Sequence, residues 1–308
     1  MSCRRPLDQE AAPYIQRGRS LLEARLPTAA SQYQARIQWL DHYPVHEAWM
    51  RNDIPEVIRE LKERKTRLGS LPAPARNAAA EAAGRLFLAI GRLQDAQETF
   101  EMISIRGWRE GALLDVAILR GNGPEIDEML RRRASVPHAA PSTTAVYLAR
   151  RGFTAEARST IRRLEESEPA VDRAQIEPFV HVAKGELALA EGRVDEAVAL
   201  LESPVRALRP AGLQIYFLAS QSLARAWMEK GDAARAQAVL HEAFQQRGRS
   251  FGPAQVSWLA VGFDLLRLHR EAGQTAEAEA VRRELAAVLA FADADHPLRA
   301  HLLTEDAR

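Results

Sequence analysis

Six glycines recur along this chain at intervals of 30 to 42 residues, and a small or branched apolar residue follows each of them five positions later. The six pairs are Gly91 and Ala96, Gly121 and Ile126, Gly152 and Ala157, Gly192 and Ala197, Gly231 and Ala236, and Gly273 and Ala278. Successive glycines are 30, 31, 40, 39 and 42 residues apart. Steps of this size are typical of arrays of two-helix repeats. The recurrence therefore predicts an all-α chain of helical hairpins.

The two residues of each pair have separate physical roles. Glycine adopts a left-handed conformation without the steric cost of a β-carbon, so it can end one helix and reverse the chain. A small residue on the second helix lets the two backbones approach closely. Four positions beyond it, an apolar anchor is expected to pack against the first helix. The anchors are Phe100, Leu130, Ile161, Leu201 and Leu240, and in the last repeat Val281 and Leu285.

A weaker copy of the pattern extends the array toward the N-terminus. Asn52 replaces the turn glycine there, and Val57 and Leu61 stand where the small residue and the anchor are expected. The chain is then predicted to contain about seven hairpins, and the exposed first and last ones are candidate edges for self-association. The expected organisation is an N-terminal segment, partly disordered or helical, at residues 1–26, a repeat domain at 27–293 and a C-terminal tail at 294–308.

Composition and charge narrow the class of protein. Hydrophobic residues make up 46% of the 308 and charged residues 27%, which is ordinary for a folded, soluble chain. The 42 basic and 41 acidic side chains give no concentrated positive surface for nucleic acid. The single cysteine, Cys3, excludes an intrachain disulfide, and no apolar run suits a signal peptide or a membrane span. We therefore expect a cytoplasmic protein that binds neither nucleic acid nor membrane.

The residues before the turn glycines resemble those of tetratricopeptide repeats. That family has a small residue seven positions before the glycine and a bulky one four before it. The corresponding residues here are Gly84 and Phe87, Gly185 and Ala188, and Ala224 and Trp227. The resemblance implies a right-handed α-α superhelix, a solenoid whose first helices line a concave surface.

The C-terminal stretch AEAVRRELAAVLAFADADHPLRAHL is similar to the end of the repeat region in bacterial multidomain signalling proteins. In those proteins the array follows a serine/threonine kinase or a winged-helix regulator domain. The kinase glycine loop, HRD and DFG motifs do not occur in this chain. The resemblance therefore implies an interaction module from a regulatory context.

The spacing of two histidines is the feature of this chain that comes nearest to a catalytic or metal-binding motif. His42 and His46 have the spacing of helical zinc ligands, but Pro44 between them disturbs the helix that this spacing requires. Neither a nucleophile elbow nor a phosphate-binding loop is present. His296 and His301 follow Asp293 in a tail that we expect to be solvated. We therefore expect no enzyme activity, no cofactor and no metal.

The repeat phase predicts which residues face the concave groove. Counting back 13, 10, 6 and 3 positions from each turn glycine gives apolar side chains beside a row of guanidinium groups in the C-terminal half. Such a surface suits a peptide with an acidic group, because arginine holds a carboxylate with parallel hydrogen bonds and apolar residues anchor the peptide. The predicted partner-binding residues are Phe179, Glu186, Gln221, Arg225, Phe263, Arg267 and Arg270.

These features favour a non-catalytic scaffold that binds a partner protein or peptide through the groove. One alternative is a regulatory sensor whose ligand changes the curvature of the array and so controls a kinase or transcription effector. Another is an enzyme whose catalytic residues are scattered in sequence and brought together by the fold. A solvated face of ordinary charge is the structural alternative for the groove arginines. No oligomeric state follows from the sequence.

Overall fold

The structure is a computed structural model in which every secondary-structure element of the described residues is a helix. Those residues are 17, 20, 43–121, 123–135, 141–167, 173–209, 214–250 and 253–303. Most of the predicted N-terminal segment, His42 and part of the C-terminal tail lie outside them. No helix in the described part of the chain is long and apolar enough to cross a membrane.

Fourteen of the helices form seven hairpins, in agreement with the sequence pattern. In chain order the helices of these hairpins are α1 (Tyr43–Arg51) and α2 (Ile54–Arg67), α3 (Ala73–Ala89) and α4 (Leu93–Glu101), α5 (Arg106–Arg120) and α6 (Gly123–Ala134), α7 (Pro141–Arg150) and α8 (Thr154–Ser167), α9 (Arg173–Ala190) and α10 (Val194–Leu208), α11 (Gln214–Glu229) and α12 (Ala233–Phe244), and α13 (Pro253–Glu271) and α14 (Thr275–Val288). A short helix, α15 (Pro297–Leu303), follows the last hairpin.

The turn residues adopt the conformation that the sequence predicts. All six turn glycines have a positive φ, and so does Asn52, the residue that replaces glycine in the first hairpin. Asparagine tolerates this left-handed conformation better than other residues with a β-carbon. The seven hairpins therefore share one type of turn, and the repeat phase read from the sequence is confirmed.

The small residues and anchors predicted for the second helices are buried between the helices of each hairpin. The five alanines of the glycine pairs and Ile126 lie in the core, together with the anchors from Phe100 to Leu285. The fit is close on the first helix too, because a β-carbon at Gly84 would lie 2.3 Å from the Phe100 ring. A β-carbon at Gly185 would lie 2.6 Å from Leu201. Small residues on both helices thus make room for the anchors.

The sequence analysis predicted that the first and last hairpins are exposed edges. In the structure they are not, because they contact each other. Helix α3, which belongs to the second hairpin, also packs against α13. The Trp49 indole of α1 donates to Ser250 Oγ at 3.4 Å and meets the Trp258 ring of α13 edge-on, with 5.5 Å between centroids. The Arg247 guanidinium lies over both rings. Burial of these rings against each other explains the contact, since large aromatic side chains contribute strongly to core packing.

The segment after the last hairpin also packs against the beginning of the array. The Asp293 N–H donates to the Gly91 carbonyl at 3.0 Å, and the Asp293 carboxylate accepts from the Gln94 N–H at 3.0 Å. His296, which we expected in a solvated tail, is only 1% exposed, and Leu302 of α15 is buried. Apolar contact with the turn at Gly91 is the physical reason. The described part of the tail is therefore integral to the fold.

Candidate functional site

Residues six positions before the turn glycines lie side by side in neighbouring hairpins. Arg85 of α3 forms an ion pair with Asp115 of α5, and Arg225 Nη1 of α11 lies 2.6 Å from Glu186 Oε1 of α9. All four residues hold this position in their own repeats. Equivalent first-helix positions of adjacent repeats therefore meet, and opposite charges there form an ion pair.

Glu186 lies at the centre of the α9–α11 interface rather than on an open groove. Its side chain is fully buried, with an exposure of 0%. Its carboxylate accepts hydrogen bonds from Arg150 Nε at 3.2 Å, from Arg225 at 2.6 Å and from the Ser222 hydroxyl. A partner cannot contact this side chain, so the structure corrects the prediction that Glu186 binds one. The helical period places Glu186 on the inner face but cannot show that α11 covers it.

The electrostatics of Glu186 follow from its neighbours. Burial by itself raises the pKa of the carboxyl, but the guanidiniums of Arg150 and Arg225 and the Ser222 hydroxyl outweigh burial and hold the pKa below its usual range. A buried carboxylate with several charge-assisted partners is costly to disrupt, because removing one member leaves uncompensated charge in the interior. Removing one member of this cluster is therefore expected to destabilise the fold.

Arg150 of α7 extends the cluster to a third hairpin. Its Nη2 donates to the Leu218 carbonyl and to Ser222 Oγ of α11, each at 3.2 Å. Sequence reasoning missed Arg150 because it lies two positions before its turn glycine, outside the four groove positions. Glu186 and Arg225 carry opposite charges at the same repeat position, and their pairing could have been predicted from that pattern.

The α11–α13 interface differs at the same repeat position. Arg225 and Arg267 are both cationic there and cannot pair with each other. Arg267 instead pairs with Glu271 of its own helix at 2.9 Å, and its side chain is 53% exposed. A pocket of about 150 Å³ lies between the two helices. The residues that line this α11–α13 pocket are Gln221, Ala224, Arg225, Met228, Glu229, Leu240, Asp264, Arg267 and Leu268.

A hydrogen bond crosses one side of the pocket. Gln221 Nε2 donates to Asp264 Oδ2 at 2.6 Å. The carboxylate fixes the orientation of the amide, because turning it over would set two acceptors against each other. Gln221 Oε1 is buried and has no hydrogen-bond donor among the described residues. A residue of the pocket lining thus carries a buried acceptor that its surroundings leave unsatisfied.

Three of the seven predicted partner-binding residues line this pocket, namely Gln221, Arg225 and Arg267. Phe179 and Phe263 are half-buried and pack against the hydrophobic core. Arg270 is half-buried and does not line the pocket. Phe179 belongs to α9, which contributes no residue to the pocket lining, and Phe263 lies one position before Asp264, the first lining residue of α13.

Several lining residues were missed by the sequence analysis. Asp264 lies nine positions before Gly273, between two of the counted offsets, and Leu240 belongs to a second helix whose residues were assigned to the core. Glu229 and Leu268 fall at helix positions adjacent to counted ones. A count that allowed one residue on either side would have included Asp264, Glu229 and Leu268.

The residues that line the pocket offer apolar contacts and hydrogen bonds to a ligand. Four apolar side chains, two guanidiniums and two carboxylates surround a space smaller than that usual for a whole small-molecule ligand, so it suits a group the size of one side chain. Within the described ranges, no cluster of three or more His, Cys, Asp or Glu side chains could hold a metal ion.

Comparison of the chain with protein-family models and with curated proteins gives no match.

Proposed function

We propose that this protein is a non-catalytic helical-repeat scaffold that binds a partner through a peptide segment seated in the α11–α13 pocket. The observation that supports the proposal most strongly is the pocket itself, where apolar walls lie beside a half-exposed arginine. Apolar contact provides an anchor and arginine provides a directional hydrogen bond, a combination common at the centres of protein interfaces. Three residues chosen from the repeat phase alone meet there.

The proposal includes the finer features that the resemblance implies. The array would be a superhelix of the tetratricopeptide type, with first helices α9, α11 and α13 on its inner surface. Its place would be the cytoplasm, in a signalling or regulatory context. A scaffold of this kind acts by raising the effective concentration of bound partners.

Selection of short random peptides on the immobilised full chain tests the proposal. The selection is repeated on Arg267→Glu and on a matched control, Arg283→Glu, in which another exposed arginine, one that also pairs within its own helix, is reversed outside the pocket. We expect a set of peptides that bind the wild type and the control alike and lose about tenfold or more in affinity on Arg267→Glu. Peptides that bind all three proteins equally, or an absence of selected peptides, would refute the proposed binding site.

A further inference from the structure

The charges around the α11–α13 pocket are already balanced within the protein. The lining contains two arginines, Arg225 and Arg267, and two carboxylates, Glu229 and Asp264. Arg225 is bound to buried Glu186, and Arg267 is paired with Glu271. A carboxylate that entered from a ligand would lie beside two carboxylates of the pocket, and both arginines would have to leave existing partners. An acidic ligand, as the sequence alone suggested, therefore matches the pocket poorly.

The two arginines are not held equally. The partner of Arg225 is a fully buried carboxylate with three donors, so Arg225 is fixed. The partner of Arg267 is exposed and lies on the same helix, and such surface pairs are weak, more so when the basic residue precedes the acidic one. Arg267 can therefore turn to an acceptor atom of a ligand with little loss.

Gln221, another residue of the pocket lining, has an acceptor atom that lacks a hydrogen-bond donor among the described residues. Gln221 Oε1 has no donor within the described part of the chain, and the Asp264 carboxylate next to it is a second acceptor. Buried acceptors are almost always satisfied in folded proteins, so a ligand N–H that reached this wall would be favoured. The lining thus combines a donor, Arg267, with acceptors on Gln221 and Asp264.

We infer that the group bound in the α11–α13 pocket is the carboxamide of an asparagine or glutamine of the partner, an inference that rests on the proposed function. The carboxamide is uncharged, and it carries a carbonyl oxygen for Arg267 and an NH₂ group for Gln221 and Asp264. Its short apolar stem would lie against Met228 and Leu268. The volume of about 150 Å³ suits one side chain of this size.

The test uses the peptides whose binding depends on Arg267. An alanine scan of each peptide identifies the anchor, defined as the residue whose replacement weakens binding to the wild type but not to Arg267→Glu. Two versions of each peptide are then synthesised, one with glutamine and one with glutamate at the anchor position. We expect the glutamine peptide to bind the wild type about tenfold or more tightly than the glutamate peptide. A glutamate peptide that binds equally or more tightly, or an apolar anchor, would overturn the inference and leave the proposed function standing.

A variant of the pocket wall provides the second arm. Gln221→Met conserves the volume but removes the acceptor, and we expect it to reduce the preference for glutamine to about threefold or less. A preference that persists in a folded Gln221→Met variant would count against the role of Gln221. If that variant does not fold, the inference is tested by the relative affinities of the glutamine and glutamate peptides for the wild type. Failure to select any peptide that depends on Arg267 would refute the proposed function itself.

Discussion

Two adjacent interfaces of this array use the same repeat position in different ways. At the α9–α11 interface that position holds Glu186 and Arg225, whose opposite charges form a buried ion pair. At the α11–α13 interface it holds Arg225 and Arg267, which carry like charges, and a pocket lies between the helices. The comparison teaches that the sign of the charge on neighbouring helices separates a position that stabilises the fold from one that remains available to a ligand.

The largest expected effect is the loss of stability on neutralising Glu186. Glu186→Gln keeps the shape of the side chain but leaves Arg150 and Arg225 without their shared carboxylate. We expect the free energy of unfolding in urea to fall by about 3 kcal/mol or more. Glu202→Gln, on an exposed position of α10, is the control and should unfold like the wild type. A loss below about 1 kcal/mol would show that the cluster contributes little.

Neutralising Arg225 is expected to have a smaller effect. In Arg225→Gln the Glu186 carboxylate retains Arg150 and the Ser222 hydroxyl, and the Arg225 side chain is 41% exposed in the wild type. We expect a loss of about 1–2 kcal/mol in the same urea measurement. A loss equal to that of Glu186→Gln would mean that Arg225, and not the whole cluster, determines the stability of this interface.

The Glu186 cluster also predicts a dependence of stability on pH. The pKa of Glu186 in the folded protein lies below its ordinary value of 4.5, so the unfolded chain takes up the proton first as pH falls. The stability from Glu186 is therefore present above about pH 4.5 and is lost as pH falls through the lower folded pKa. As the pH falls below about 4.5, we expect Glu186→Gln to lose less stability than the wild type in urea unfolding. Parallel curves for the two proteins would contradict this assignment.

The smallest expected effect on stability is that of Arg267. Its exposed pair with Glu271 contributes little, so Arg267→Gln should unfold within about 0.5 kcal/mol of the wild type. The same variant should lose binding of the selected peptides, because it removes the donor on one side of the pocket. A loss of stability with unchanged peptide binding would reverse the roles given to the two interfaces.

Much of the hairpin structure could be predicted from the sequence because it depends on local chemistry. Left-handed turns require glycine or asparagine, and close crossing of helices requires alanine, so these residues mark each hairpin. The contact between the first and last hairpins could not be predicted in this way. Trp49 and Trp258 are about two hundred residues apart, and nothing in the repeat pattern pairs them.

The binding pocket was predicted only in part, for a related reason. The helical period places a residue on a face, so Gln221, Arg225 and Arg267 were found. It does not show which neighbouring helix covers that face, so Glu186 was assigned to a ligand although α11 buries it. Asp264 was missed because it lies one residue after a counted position, Phe263, rather than on one.

A pair of double-mutant cycles measures the difference between the two interfaces most directly. One cycle combines Glu186→Gln with Arg225→Gln, and the other combines Arg225→Gln with Arg267→Gln, each followed by urea unfolding. We predict a coupling energy of about 1.5 kcal/mol or more for the first cycle and of less than about 0.5 kcal/mol for the second. Equal couplings in the two cycles would contradict the account, because the like-charged interface would then stabilise the fold as much as the oppositely charged one.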